Sequence, residues 1–400
     1  HKIKTSSIVS ETAQQLLYLM SGLSATHTLE KIGLTMSTPA RVVVLPNGSN
    51  SLEVQDLIIP DPGPHQVVVK QFASGICHSQ LHQMRGTERD SSLMLGHEST
   101  GVVLQTGSDV KGLSEGDIVL VTWVPKDAAN TPRAPESATL ETADGSLAIS
   151  QAVFTWATHT IADEQYVVKV EGDIDTQVTS IIGCAVITGA GAVENTAGVK
   201  AGDSVAIFGV GGVGMSAIVA AKKLGANPII AVDLDADKLV FARQFGATHT
   251  INGKEEDPVA AIKALTQHPG KRDFMGDDIS GADFVFDCIG VKETMETIPQ
   301  AARGGHFGVD NGGTAILVGV PHTSVELNAI DMLLNEKKFI GSFAGSCTPS
   351  RDFSKYVDWH RSGDLDLDAL VTERYSIDDI NEATTRLGNG LISGRAIIEF

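Results

Sequence analysis

Cysteine is scarce in this sequence of 400 residues. The four cysteines are far apart and form no C-x-x-C pair; they are Cys77, Cys184, Cys288 and Cys347. This spacing excludes a disulfide scaffold, because such scaffolds use closely spaced cysteines in short chains. It is typical of a protein in a reducing compartment, and we therefore expect a cytoplasmic location.

Basic residues and long apolar runs are also few. The 30 Lys and Arg residues face 49 Asp and Glu residues, which gives a formal net charge of −19. A chain this acidic repels phosphate backbones and anionic lipid, which excludes nucleic acid and membrane surfaces as partners. No apolar run approaches the ~20 residues that a membrane-spanning helix needs. The apolar share of 42% and the charged share of 20% indicate a folded globular protein.

The first half of the chain divides into two patterns. Residues 1–36 begin with His and carry no signal-peptide pattern, so we interpret them as an expression-derived or flexible extension before a natural start at Met36. Short β-branched runs separated by Gly, Pro and Asp turns predict β structure from about Arg41 to Val170, and we assign residues 37–194 to the first part of a β-rich domain. Within them, the Pro-, Ala- and Ser-rich residues 125–150 are predicted to form an exposed loop.

The second half of the chain has a different pattern of apolar residues. Residues 195–330 alternate continuous apolar strands with amphipathic helices, which predicts a parallel sheet covered by helices on both faces. Residues 331–400 return to mixed structure and finish with the strand RAIIEF. We therefore predict an α/β protein in which both chain ends build one β-rich domain and a doubly wound domain is inserted between them.

A glycine-rich turn separates the apolar strand SVAIF from the helix that follows it. The turn has the sequence Gly209-Val210-Gly211-Gly212-Val213-Gly214. Its glycines allow a tight turn, a close approach of backbone to a pyrophosphate, and close packing of the helix on the strand. Asp233 ends the next strand, close to the ~20 residues expected after such a turn. Its carboxylate would accept hydrogen bonds from ribose hydroxyls and repel a 2′-phosphate, so we expect NAD rather than NADP.

Two cysteines and one histidine have side chains that suit a zinc ion. Cys77 lies in GICHSQLH, His97 in GHESTGVV and Cys184 in IGCAVITG. Two thiolates and one imidazole leave a fourth position open for water or substrate, as in catalytic zinc sites. A single buried cysteine, however, is usually a small apolar residue, and spacing alone does not join these three.

The same segments resemble the zinc-dependent alcohol dehydrogenases of the medium-chain dehydrogenase/reductase family, from about residue 40 to Phe400. GICHSQLH, GHESTGVV, IGCAVITG and GVGGVG with its following Asp match the family's motifs in order and spacing. The resemblance implies a Rossmann doubly wound parallel sheet domain inserted in a β-rich GroES-like catalytic domain. It also implies Zn²⁺, NAD, a small-molecule alcohol or aldehyde substrate, and a homodimer or homotetramer.

The resemblance assigns the metal and proton-transfer roles. Cys77, His97 and Cys184 would hold the catalytic zinc, and Glu98 would be the neighbouring acid that tunes the zinc or occasionally binds it. Ser79 would take the alcohol proton and pass it toward His82.

The resemblance also implies cofactor and substrate contacts. Besides the glycine turn and Asp233, the residues implied to contact NAD are His78, Thr188, Lys238, Val318, Val320 and Arg395. Trp123 falls where the family places a pocket aromatic, and we expect Trp156 to be a second one.

The sequence departs from the family at two places. Many members bind a structural zinc through four cysteines in the region of residues 124–150, which contains none here. We therefore expect a single catalytic zinc per chain and no structural zinc. Gln80 stands where the family usually has an Asp that supports the ligand histidine. A glutamine oxygen can accept the imidazole N–H but brings no charge, so we expect weaker zinc binding.

The leading interpretation is NAD-linked, reversible oxidation of primary or secondary alcohols, including aromatic or medium-chain ones. The alternative is a glutathione-linked formaldehyde dehydrogenase, which oxidises S-hydroxymethylglutathione; the aromatic pocket argues against it. A zinc-free quinone reductase would not need the Cys–His–Cys set. A non-catalytic nucleotide-binding protein would not need the metal ligands, the proton-transfer residues and the cofactor-binding turn in one chain.

Overall fold

The computed structural model describes residues 37–85 and 89–400, so the predicted extension over residues 1–36 lies outside the described part. Two mostly antiparallel sheets form the β-rich part of the fold. In sheet order, the first contains Glu53–Ile59, Thr38–Leu45, Ser92–Met94, Leu147–Ile149 and Thr139–Glu141. The second contains Val167–Lys169, Ile118–Thr122, Glu98–Thr106, Gln66–Ile76, Arg395–Glu399 and Val371–Tyr375, with His159–Asp163 also paired to Gln66–Ile76.

The end of the chain returns to the β-rich part. The strand Arg395–Glu399 pairs antiparallel with Gln66–Ile76, and Ala396 lies opposite Ile76. Residues from both halves of the chain therefore share one sheet, which confirms the predicted architecture.

A six-stranded parallel sheet forms the other main part of the fold. Its order is His249–Asn252, Ile229–Asp233, Val205–Phe208, Phe284–Asp287, Thr314–Leu317 and Lys338–Gly341. Every neighbouring pair is parallel, and the central strand is buried along its whole length because helices cover both faces. The strand order reverses beside Val205–Phe208, and ligands bind at such a switch point in doubly wound sheets. The sheet continues to Gly341, so the predicted boundary at residue 330 is too early.

Some of the described helices begin at a residue whose side chain satisfies their free N–H groups. Asp235 accepts from the backbone of Asp237 and Lys238, and Asp257 caps the helix that starts with Pro258. The α-helices are His78–Met84, Ala185–Gly191, Gly212–Lys223, Ala236–Phe245, Pro258–Leu265, Lys292–Ala301, Ala329–Leu334, Pro349–Arg361, Leu367–Leu370 and Ile380–Gly388. None of these described helices is long and apolar enough to cross a membrane.

Shorter elements complete the chain. The 3₁₀ segments are Glu164–Tyr166, Val178–Gly183, Ala344–Ser346 and Ile377–Asp379, a π-helical turn spans Ala192–Ala197, and a two-stranded ribbon joins Gln267–Arg272 to Asp278–Ser280.

The region predicted as an exposed loop, residues 125–150, contains a hairpin. Its two short strands pair with each other, and Leu147–Ile149 also pairs with Ser92–Met94. Leu140 and Ala148 are buried in the core below. The loop prediction is therefore wrong for residues 139–149, because alternating apolar side chains there extend the first sheet.

Candidate active site

Three predicted metal ligands come together from separate parts of the chain. Cys77 and Cys184 each lie immediately before a helix, and His97 lies immediately before a strand. All three are buried, and their ligand atoms lie within 4.8 Å of one another. The two Sγ atoms are 3.9 Å apart. Two thiols and an imidazole at this spacing form a donor set that suits a zinc ion.

The two thiols differ in acidity because they share a hydrogen bond. The contact with Cys184 lowers the pKa of the Cys77 thiol well below its usual value, and the nearby charge of Arg395 adds to the effect. The same contact, together with burial, raises the pKa of Cys184. The two thiols are therefore coupled through one shared hydrogen bond, and a bound cation would displace the protons that they hold.

Gln80 contacts the ring of His97 with the nitrogen of its amide. Its Oε1 accepts a hydrogen bond from the backbone N–H of Gly96, and its Nε2 lies 2.7 Å from Nδ1 of His97. The expectation that the amide oxygen accepts from the ring is wrong, because that oxygen already serves Gly96. Nδ1 is left as the acceptor, which places the ring proton on Nε2 in this metal-free arrangement, and a metal bound through Nε2 would displace that proton.

Glu98 is not part of the metal cluster, although it follows His97 in the sequence. Its Oε1 pairs with Nη2 of Arg395, and its Oε2 accepts from the backbone N–H of Ala185 at 3.2 Å. Both side chains are buried, and burial raises the pKa of Glu98. A Cβ at Gly75 would overlap the Glu98 carboxylate, so the glycine makes room for it. The expectation of Glu98 as an occasional ligand does not fit this geometry, since Arg395 holds the carboxylate.

The helix His78–Met84 carries the predicted proton-transfer residues. The Ser79 hydroxyl donates to Sγ of Cys77 at 3.2 Å and lies 3.5 Å from Nε2 of His97. Nδ1 of His82 lies 2.7 Å from Nε2 of His322, an exposed residue that the sequence analysis missed. No motif indicates this contact, because the two histidines are 240 positions apart.

A cavity of about 370 Å³ opens beside the metal cluster. Of the residues implied by the family resemblance, those that line it are Cys77, His78, Ser79, His82, His97, Trp123, Cys184, Thr188, Val213, Val318 and Val320. Trp123 packs edge-to-face on Phe343, with ring centroids 5.0 Å apart. Among residues 37–85 and 89–400, no Lys or Arg lines the cavity. The cavity therefore combines the metal donors with a largely uncharged wall.

Trp156 does not line the cavity. Its side chain is completely buried among apolar residues that include Ile76 and Leu95. Its Nε1 donates to the backbone carbonyl of Gly75 at 3.1 Å, which satisfies the indole within the core. The prediction of Trp156 as a pocket aromatic is therefore wrong, and Trp123 is the tryptophan at the cavity.

A turn after the strand Phe284–Asp287 forms another part of the cavity wall. The buried Asp287 accepts from the N–H of Ile289 at 3.0 Å and of Gly290 at 3.1 Å, which fixes the turn. Cys288 and Ile289 line the cavity. Burial raises the pKa of the Cys288 thiol, so this cysteine is a neutral thiol in the wall.

The glycine turn follows the central strand at the switch point of the parallel sheet. Gly209 has φ of +84°, and a Cβ at Gly214 would overlap the carbonyl oxygen of Gly209. A Cβ at Gly211 would meet open space, and the helix that begins at Gly212 has no side-chain cap. Its first N–H groups are thus available to an anion.

Charged residues surround this turn. Asp233 accepts from the N–H of Val210 at 2.9 Å, and Lys238 lies on the next helix. The Arg395 side chain borders Gly212, and its buried Nε has no hydrogen-bond partner within the described residues. Asp233 and Arg395 thus contact the turn at which the resemblance implies a dinucleotide.

Known proteins match this chain along most of its length. The family model for an alcohol dehydrogenase GroES-like domain matches residues 63–172, and that for a zinc-binding dehydrogenase matches residues 212–362. An S-(hydroxymethyl)glutathione dehydrogenase of Paracoccus denitrificans is 30% identical over 86% of this chain and 95% of its own length. A class-3 alcohol dehydrogenase of Cereibacter sphaeroides is 31% identical over 87% and 96%.

A solved structure is also similar to this chain along most of its length. The crystal structure of benzyl alcohol dehydrogenase from Acinetobacter calcoaceticus is 30% identical, with a TM-score of 0.77, and the match covers 91% of this chain and 99% of that one. Both family models, these relatives and the Cys–His–Cys cluster agree. The chain belongs to the zinc-type alcohol dehydrogenases of the medium-chain dehydrogenase/reductase family.

Proposed function

We propose that this dehydrogenase oxidises primary or secondary alcohols reversibly with NAD and one zinc per chain, and that it prefers aromatic or medium-chain alcohols. One observation carries the proposal: the Cys77–His97–Cys184 cluster and the predicted nicotinamide contacts Thr188 and Val318 line a single cavity. A substrate in this cavity would contact metal donors and cofactor residues at once, as hydride transfer requires.

Zinc fits the donor set of the cavity. Two thiols and one imidazole lie within bonding reach of one ion, and three protein ligands leave a position for the alcohol oxygen. When bound, zinc supplies the Lewis acidity that lowers the pKa of the alcohol. Cys77, His97 and Cys184 would hold it. Glu98 would act indirectly, because its carboxylate keeps the charge of Arg395 beside the thiols.

NAD fits the glycine turn. The open space at Gly211 and the uncapped helix start at Gly212 form a cradle that suits a pyrophosphate. When bound, NAD supplies the hydride acceptor. Asp233 would bind the adenosine ribose. The remaining residues that we propose as contacts are Gly209, Val213, Gly214, His78, Thr188, Lys238, Val318, Val320 and Arg395.

The alcohol proton would leave along the helix His78–Met84. The Ser79 hydroxyl lies beside the ligand atoms of Cys77 and His97, where it can accept a proton from a bound alcohol. His82 follows three residues later on the same helix face, so we propose it as the next acceptor. Burial and then His322 lower the pKa of His82 to about 4, so His82 does not retain a proton near neutral pH.

The cavity wall supports a neutral, apolar substrate. Trp123, Val153, Phe343 and Val320 contribute apolar surface, and an aromatic substrate ring gains most from such a wall. S-hydroxymethylglutathione is the second candidate, because the Paracoccus denitrificans relative bears that name. Its carboxylates would favour Lys or Arg side chains, and none lines the cavity within residues 37–85 and 89–400.

We also propose a cytoplasmic homodimer or homotetramer. The edge strand Lys338–Gly341 leaves one side of the parallel sheet open, and Ile330 and Leu333 beside it are 59% and 71% exposed. Unpaired strand edges and exposed apolar side chains are features of subunit contacts. The four free cysteines are compatible with a reducing cytoplasm.

Metal content tests the zinc assignment. We expect about one zinc per chain by elemental analysis, since the cluster offers one catalytic set of ligands. Cys77→Ala and Cys184→Ala should lose both zinc and activity, whereas Cys347→Ala should keep both because it lies outside the cluster. Cys288→Ala should keep the zinc. Two tightly held zinc ions per chain, or full activity after complete chelation, would contradict the assignment.

Gln80→Glu should tighten zinc binding. A carboxylate at this position has an oxygen to accept from Gly96 and a second one to accept from Nδ1–H of His97, whereas the amide directs its oxygen to Gly96 and its nitrogen to His97. We expect the affinity of the metal-free protein for zinc, measured by chelator competition, to rise roughly 10–100-fold. Gln300→Glu on the exposed side of the helix Lys292–Ala301 adds the same charge outside the cavity and should change the affinity by less than about twofold. Equal affinities for both variants would refute the explanation.

Asp233→Ala should relax cofactor selectivity. The wild type should use NAD in preference to NADP, because the carboxylate repels a 2′-phosphate. Loss of charge-assisted hydrogen bonds worth about 1.5–3 kcal/mol should raise the KM for NAD roughly tenfold or more. Asp237→Ala, which removes a neighbouring exposed carboxylate, should leave the KM unchanged. A wild type that prefers NADP would overturn the role of Asp233.

Substrate preference tests the cavity wall. Benzylic, cinnamyl or medium-chain alcohols should give a higher kcat/KM than ethanol, because an aromatic ring can bury ~150–250 Å² of surface. Trp123→Ala should reduce the benzylic value more than the ethanol value, and Phe307→Ala on the distant surface should reduce neither. Equal or better use of ethanol would argue against this wall. A preference for S-hydroxymethylglutathione would establish the second candidate.

A further inference from the structure

His82 and His322 form a contact between the β-rich part of the fold and the parallel sheet, across the cleft that contains the cavity. His82 lies on the helix His78–Met84 of the β-rich part, whereas His322 lies in the segment that follows the strand Thr314–Leu317 of the parallel sheet. Nδ1 of His82 is 2.7 Å from Nε2 of His322, and the ring centroids are 4.1 Å apart with a tilt of 51°. The contact therefore links a residue of the cavity to an exposed residue across the cleft.

The chemistry of this contact is that of a proton shared between two bases. At hydrogen-bond distance one ring nitrogen must carry the proton while the other accepts, since two N–H groups would repel each other. A proton that arrives on His82 thus has an acceptor already in place. Because the ring of His322 is exposed, a proton on it can pass to water or buffer.

The surroundings of His82 favour onward transfer. Burial lowers its pKa most, followed by the neighbouring His322, Arg85 and His78, and only Cys77 opposes them. A proton on His82 is therefore short-lived, and the rate at which it leaves depends on the next acceptor. In the described residues His322 is the group at hydrogen-bond distance from its ring.

We propose that His322 is the terminal proton carrier of alcohol oxidation, which takes the substrate proton from His82 and releases it to solvent. The inference rests on the proposed proton route through Ser79 and His82. One proton moves from the alcohol hydroxyl to solvent, and no electrons move along this route, because they leave with the hydride. His322 acts through His82, so it is a positioning and proton-carrying residue rather than a catalytic one.

Two substitutions at position 322 separate a proton-carrying role from a structural one. His322→Gln can keep a hydrogen bond to His82 but cannot carry a proton, whereas His322→Ala removes the contact. Single-turnover alcohol oxidation with a pH indicator, in weak buffer, measures proton release directly. We expect both variants to release the proton on the order of tenfold more slowly, less than the about 10²–10⁴-fold effect of a direct acid–base group. Added imidazole should restore the rate of His322→Ala.

Histidine titration by NMR on the metal-free, cofactor-free protein gives a readout independent of activity. Loss of His322 removes a charge that opposes protonation, so the pKa of His82 should rise in both variants. His268→Ala, which alters a histidine on the distant ribbon, should change neither the titration of His82 nor proton release. Wild-type proton release by His322→Gln would overturn the inference and leave only a structural contact. A wild type without alcohol oxidation would instead refute the proposed function, and an unchanged titration of His82 would show that the histidines do not interact.

Discussion

The buried ion pair of Glu98 and Arg395 holds the metal cluster, the glycine turn and the central antiparallel sheet in one arrangement. The two residues begin the strands on either side of Gln66–Ile76 in that sheet, although they are 297 positions apart, and they are almost completely shielded from water. Removing one member of such a pair costs about 3–5 kcal/mol, because the other charge stays buried. Glu98 also accepts from Ala185, so the carboxylate fixes the start of the helix that follows Cys184.

The parts that sequence predicted are those encoded by short segments. The predicted ligands Cys77, His97 and Cys184 lie in recognisable motifs, and the glycine turn follows an apolar strand, so local pattern and family resemblance were sufficient to select residues that the fold brings together. Trp156 was misplaced because burial of an indole depends on the carbonyl of Gly75 behind it. The amide orientation of Gln80 likewise depends on a backbone N–H that no side-chain pattern reveals.

Features that the sequence did not predict lie in the cleft between the β-rich part and the parallel sheet. His322 and the turn that Asp287 holds both follow strands of the parallel sheet. His322 contacts His82 of the β-rich part, and the turn lines the cavity beside the metal cluster. The hairpin in residues 139–149 was missed for a similar reason, since its short strands are stabilised by pairing with Ser92–Met94. Long-range pairing, rather than local propensity, decides such elements.

Gly75 has a consequence for how this site can vary. The Glu98 carboxylate occupies the volume that any side chain at position 75 would need, and Gly183 lies against the same residue from the other side. An alanine at position 75 would force the Glu98 carboxylate to move. Loss of Glu98 alone would leave the charge of Arg395 buried without its partner. Each single step is strongly unfavourable, so the two positions are coupled and can change only together. A lineage that keeps this ion pair is therefore confined to glycine at position 75, however freely the rest of the strand exchanges its apolar residues.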